Sequence, residues 1–103
     1  MKKEVILVKL NKDKVYKFAV FIDKKMIKFG RKPYQDFTIS KNPIRMNLYL
    51  LRHSGMNEDW TIQGLKTKGF WSRWLLWSKP DLQEAIKFME KKFNLNITYI
   101  DDL

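Results

Sequence analysis

His53 is the single histidine in a chain of 103 residues, and there is no cysteine. Zinc needs three or four His, Cys or carboxylate ligands. His53 would have to recruit Asp36, Glu58 or Asp59, and no spacing among them marks a metal site. Those carboxylates could hold magnesium for nuclease chemistry, but salt bridges to Arg45, Arg52 or Arg73 are the plainer use for them. A nucleophilic triad needs a hydroxyl held against the imidazole; Ser54 follows His53 in sequence, which fixes no geometry. Gly30, Gly55, Gly64 and Gly69 are too scattered to cradle a phosphate. The expectation is a protein with no catalytic residues, no metal and no cofactor. A hydrolase acting on nucleic acid through Asp36, His53 and Glu58 is kept as a third reading, to be discarded if those side chains face different sides of the fold.

The cations carry a stronger signal. The formal net charge is +10, with 21 Lys and Arg against 11 Asp and Glu. Residues 1–33 hold eleven of the cations against three acids, and residues 34–79 hold seven against three. Residues 80–103 reverse the balance, with three against five. A domain that tolerates such self-repulsion commonly meets a polyanion, or uses the charge for solubility. Lys24, Lys25, Lys28, Arg31 and Lys32 cluster at a hairpin end and the loop after it. Arg45 and Arg52 form a stripe with Tyr49, and Lys66, Lys68 and Arg73 bracket Gly69-Phe70-Trp71. Cations neutralise phosphates and aromatic rings stack on unpaired bases. These ten cations are the candidate nucleic-acid contacts. The alternative leaves Trp71, Trp74 or Trp77 partly exposed as anchors for another protein, since interface hot spots favour Trp and Arg.

The elements that must position these residues read as one α+β domain over residues 1–103. Residues 4–10 and 15–22 are β-branched and aromatic and read as strands, with a polar turn between them. Tyr16, Phe18, Val20 and Ile22 alternate with Val15, Ala19 and Phe21, which predicts a central strand covered on both faces. Residues 26–29 complete a three-stranded antiparallel meander. Residues 31–42 read as a loop. Asn42 before Pro43 opens a helix that Gly55 ends, with Ile44, Leu48 and Leu51 as its inward face. Residues 54–69 are loop-rich. The run Phe70-Trp71-Ser72-Arg73-Trp74-Leu75-Leu76-Trp77 fits a short helix buried nearly all round best, with a strand as the alternative for so short a run. Ser78 to Asp81 resembles a capping box opening a helix to about Phe93, with Leu82, Ala85, Ile86, Met89 and Phe93 inward. Residues 95–100 alternate as a last strand. The predicted fold is a meander with two to three helices on one sheet face and a C-terminal strand.

With 15% aromatic residues, large side chains must supply the core of so small a domain. The absence of cysteine favours a reducing compartment. The first residues offer four consecutive apolar side chains, too few for a signal-peptide core, and no apolar run approaches spanning length, so no membrane insertion is expected.

Several strings recur together in a known order: Lys25 to Gly30, Tyr34 to Thr38, Arg45 to Tyr49, Arg52-His53, Glu58-Asp59-Trp60, Gly64, Thr67, and Gly69 to Trp77. Over about residues 15–80 the chain resembles a family of small basic proteins of unestablished function encoded by large nucleocytoplasmic DNA viruses. Pro33 stands where that family tends to have Gly, and Ser40 where it tends to have His; if that His is catalytic in relatives, this chain lacks it. The resemblance implies a protein of the infected host's cytoplasm or viral factory, and of the virion. It makes double-stranded viral DNA the first expected partner, bound without sequence preference during genome packaging, and viral capsid proteins the second.

Overall fold

The strand register is set by a two-residue hairpin. Ile22 pairs with Lys25, and the connecting Asp23 and Lys24 have φ of 49° and 68°. Positive φ at both central positions gives the primed turn whose twist matches that of the strands. In the computed structural model, which describes residues 2–101, the elements run β1 (Lys3–Lys9), β2 (Tyr16–Ile22), β3 (Lys25–Arg31), α1 (Phe37–Ser40), α2 (Pro43–Ser54), α3 (Lys68–Trp71), α4 (Leu82–Phe93) and β4 (Leu95–Ile100). A π-helical turn, Ser72–Leu76, continues α3, and a 3₁₀ turn spans Ile62–Gly64.

The four strands form one mixed sheet in the order β3-β2-β1-β4. The meander is antiparallel, and β4 adds to β1 in parallel, Val5 opposite Ile97 and Leu7 opposite Tyr99. This is the expected α+β class. One sheet face carries Val5, Leu7, Phe18, Val20, Ile22, Ile27, Phe29, Leu95 and Ile97 into the core. There they meet Phe70, Trp71, Leu75 and Leu76 of α3 and its π turn, and Ala85, Ile86 and Met89 of α4. Trp71 is wholly buried, and its Nε1 donates to the Leu65 carbonyl at 2.7 Å. That bond satisfies the one polar atom a buried indole carries.

The opposite face meets the expectation of a strand covered on both sides only in part: Ala19 and its cross-strand partner Val8 are buried there, and the rest of the row is open. Ile6, Phe21 and Met26 lie in cross-strand register on it and are 43%, 42% and 51% exposed. Val15, just outside β2, is 45% exposed. The α3–α4 layer covers one face, so alternation on β2 marked two apolar rows of which one meets the core.

The caps follow the sequence, with one correction. Asn42 Oδ1 accepts from the Ile44 and Arg45 amides, and Pro43 occupies the first helical turn. Asp81, not Ser78, caps α4, accepting from the Glu84 amide at 3.1 Å. Ser78 instead donates to the Trp74 carbonyl and closes the π turn. The loop expected over residues 31–42 contains α1, capped by Asp36.

α2 is turned the other way from its predicted orientation. Ile44, Leu48 and Leu51 are 69%, 55% and 74% exposed, and no residue of α2 is fully buried. Met46, Tyr49, Leu50 and His53 face the body. The Tyr49 ring stacks on Trp77 at 4.6 Å between centroids and on His53 at 4.1 Å. Offset aromatic stacking adds to area burial, and this three-ring column seats the helix.

Candidate nucleic-acid interface

A cleft of about 890 Å³ lies between α2, the ends of β2 and β3, and α3. α2 contributes Arg45, Leu48, Tyr49, Arg52 and His53; the strands contribute Tyr16, Lys17 and Arg31 among others; Tyr34, Gln35 and Asp36 follow from the loop before α1; Glu58, Lys68, Ser72 and Trp77 also line it.

Of the ten candidate phosphate contacts, the fold brings four to this cleft: Arg31, Arg45, Arg52 and Lys68. Arg45 Nη1 donates to Gln35 Oε1 at 2.8 Å. Neither Arg31 nor Arg52 has a carboxylate partner among the described residues. Lys68 Nζ donates to the Tyr16 hydroxyl at 2.9 Å and sits 4.7 Å from its ring centre. That hydrogen bond draws the Tyr16 phenol below its ordinary pKa, because the ammonium stabilises the phenolate.

The other six are placed elsewhere. Lys24 and Lys25 are exposed at the hairpin. Lys66 pairs with Asp23 at that same turn, at 3.1 Å, and Lys3 pairs with the same carboxylate. Lys28 pairs with Asp13 at 2.8 Å. Lys32 Nζ donates to the carbonyls of Leu10 and Asp13. Arg73 is turned inward: Nη1 donates to the Trp77 carbonyl, and the guanidinium lies 4.2 Å from the Trp74 ring centre and 5.4 Å from that of Trp60. Burial lowers its pKa. Arg73 therefore does intramolecular work, stacking between two indoles.

Of the three candidate anchors only Trp71 is wholly buried, and Trp74 and Trp77 are partly exposed. Trp71 is interior, Trp74 is half-buried with Nε1 donating to the Trp60 carbonyl at 2.8 Å, and Trp77 lies against Tyr49.

Asp36, His53 and Glu58 do not face different sides of the fold. All three line the cleft. Asp36 is 2% exposed and spoken for: it accepts from the amide and hydroxyl of Thr38 and pairs with Lys17 at 2.7 Å. His53 Nδ1 lies 3.0 Å from Glu58 Oε2, and Trp60 Nε1 donates to Glu58 Oε1 at 2.9 Å. The turn that returns Glu58 to the helix end passes through Asn57 at φ 57°, a left-handed position that Asn tolerates. Gly69 packs against the carboxylate so tightly that a Cβ there would stand 2.9 Å from Glu58 Cδ. Asp59 turns away and accepts from the amide and hydroxyl of Thr61. These acids thus pair with Lys17, His53 and Thr61, not with the arginines expected. Among the described residues no three His, Cys, Asp or Glu side chains group as metal ligands. No helix among those residues is long and apolar enough to cross a membrane.

Tyr49 is buried enough that desolvation pushes its phenol pKa up, with the Glu58 charge adding to the effect. Its Oη has no hydrogen-bond partner among the described residues. Sequence reading missed Tyr16, Tyr34, Gln35 and Ser72 as cleft residues. An exposed aromatic in a charged loop was the available signal for Tyr34, which is 68% exposed. Nothing in the spacing signals the others.

Architecture and site together define a small basic α+β domain with a cationic, aromatic-lined cleft. Residues 8–53 match the model of a family described as a family of unknown function (DUF5754). The matched stretch carries Arg31, Arg45, Arg52 and His53 and stops short of Glu58 and Lys68. No curated protein and no solved structure matches the chain.

Proposed function

We propose that this protein binds a nucleic-acid strand without sequence preference, seating its phosphates on Arg31, Arg45, Arg52 and Lys68. One observation carries the reading: the four cations line a single cleft, and two of them have no carboxylate partner among the described residues. The exposed Tyr34 ring beside them offers a stacking surface for an unpaired base. The cleft volume of about 890 Å³ is near the top of the small-molecule range of roughly 300–1,000 Å³. That suits a few nucleotides of one strand better than a duplex, and so shifts the expectation from double-stranded DNA toward single strands. The viral resemblance makes a viral genome or its transcripts the strand in question. Capsid-protein binding through the tryptophans has less support, because Trp71 is interior; the exposed Ile44, Leu48 and Leu51 stripe is the surface that favours a protein partner.

The test is a salt titration of binding to a labelled oligothymidylate, followed by anisotropy. Four phosphates contacted give a log–log slope of about −2.8 for a single strand, or roughly a 50-fold loss of affinity between about 50 and 200 mM salt. Replacing Arg45 and Arg52 with Ala should halve the slope. No measurable binding at low salt would overturn the proposal.

A further inference from the structure

We propose that His53 and Glu58 act as a proton-accepting pair that cleaves RNA lying in the cleft, with the strand's own 2′ hydroxyl as nucleophile. The inference rests on the strand-binding reading above and extends it from binding to chemistry.

The pair is built, not incidental. Glu58 is held at both oxygens, by His53 Nδ1 at 3.0 Å and by Trp60 Nε1 at 2.9 Å. Gly69 leaves the space its carboxylate occupies; any Cβ at that position would stand within 2.9 Å of it. The imidazole is fixed from a second direction by the Tyr49 ring, 4.1 Å away. A carboxylate that accepts from Nδ1–H selects the tautomer with Nε2 unprotonated, and it stabilises the imidazolium once formed. Nε2 lies on the side of the ring away from Glu58, in a residue that lines the cleft. Arg31, Arg45 and Arg52 line it too, and supply the positive field that a pentacoordinate phosphorus needs as negative charge builds on its oxygens.

The step balances without a metal or redox partner. His53 Nε2 takes the proton of a 2′ hydroxyl. The 2′ oxygen forms a bond to the adjacent phosphorus, and the bond from phosphorus to the 5′ oxygen breaks. That oxygen leaves with a proton from solvent water, and the imidazolium gives its proton to the hydroxide so formed. The products are a 2′,3′-cyclic phosphate and a 5′ hydroxyl. DNA lacks the nucleophile and stays intact. His53 is the catalytic residue here; Glu58 is a positioning residue.

The experiment compares a short fluorescent oligouridylate with the 2′-deoxy strand of the same length, on wild type, His53→Ala and Glu58→Gln purified in parallel. Retained tryptophan fluorescence checks folding. Wild type should cut the RNA to cyclic-phosphate ends and bind the deoxy strand without cutting it. His53→Ala should lower the rate on the order of 10²–10⁴-fold, the usual contribution of a positioned base. Glu58→Gln keeps the shape and removes the charge. The ring then loses the charged partner that orients it, so kcat should fall while KM for the RNA stays close to that of wild type. Arg31, Arg45, Arg52, Lys68 and Asp36 share the cleft with the ring and Tyr49 stacks on it, and all are unchanged in that variant. Two results would overturn the inference alone: the deoxy strand binds while RNA survives at every pH, or His53→Ala cleaves as fast as wild type. If neither strand binds, the strand-binding reading falls with it.

Discussion

Replacing Ile44, Leu48 and Leu51 together with Ala separates the two orientations of α2 sharply. Helical periodicity makes these three the inward stripe; the structure leaves them 69%, 55% and 74% exposed. Their residual burial adds up to about one side chain's worth. Full burial of a Leu or Ile contributes about 1.5–3 kcal/mol, so the triple variant should lose at most that much. Ala's better helix propensity offsets a few tenths of a kcal/mol. Were the stripe a packed core, each truncation would cost about 2–5 kcal/mol. The total of roughly 6–15 kcal/mol would match or exceed the entire stability of an ordinary domain, about 5–15 kcal/mol. The assay is urea unfolding followed by tryptophan fluorescence, with Trp77 stacked on α2 through Tyr49 as a local reporter. A folded triple variant with a modest fall in midpoint and an unchanged slope is the expected result. A variant that does not fold would refute the placement of α2, and with it the cleft that α2 walls.

Two further perturbations test local structure. Lys24→Gly should raise stability by about 0.5–1 kcal/mol, because Lys24 holds φ 68° in the hairpin turn and a left-handed L-residue costs about 1–2 kcal/mol, part of which glycine gives back as unfolded-chain entropy; thermal unfolding of the variant checks it. Asp13 accepts from the Lys28 ammonium first and then from the Tyr16 and Val15 amides, which hold its carboxyl well below the usual carboxylate range. A depressed folded-state pKa means the stabilisation is present above about pH 4, the unfolded value, and is lost as pH falls through the folded one. Asp13→Asn should therefore flatten the acid limb of the stability profile and narrow its gap from wild type below pH 4, as urea midpoints across pH would show.

The sheet was readable because its signals are local. β-branched runs and alternation place β1, β2, β3 and β4 within a residue or two of where they lie, and Asn42-Pro43 marks a helix start through bonds to its own next turn. Alternation could not tell which of two apolar rows on β2 would be covered, because that depends on where α3 and α4 return. α2 failed for a related reason. Periodicity ranks side chains by aversion to water, which puts Leu48 and Leu51 ahead of Tyr49 and His53. The docked face is chosen instead by fit, and a ring column of Trp77, Tyr49 and His53 satisfies the second face of the same amphipathic helix.

That reversal also explains why the cleft escaped the sequence. Turning Ile44, Leu48 and Leu51 outward turns His53 inward, and only then can Glu58, returning through Asn57 from beyond the helix end, reach its ring. A five-residue separation across a helix terminus has no periodic signature, so the sequence named His53 and Glu58 as candidates without showing that they touch. The same rotation sets Arg45 and Arg52 along the seam between the exposed stripe and the docked face, where both line the cleft with Arg31 of β3 and Lys68 of α3. The front-loaded charge was legible as a total. Its division was not: Lys28, Lys66 and Arg73 are consumed by Asp13, Asp23 and two indoles, and it is this internal use of the outlying cations that leaves the cleft as the place where four of them gather beside a histidine with a fixed carboxylate.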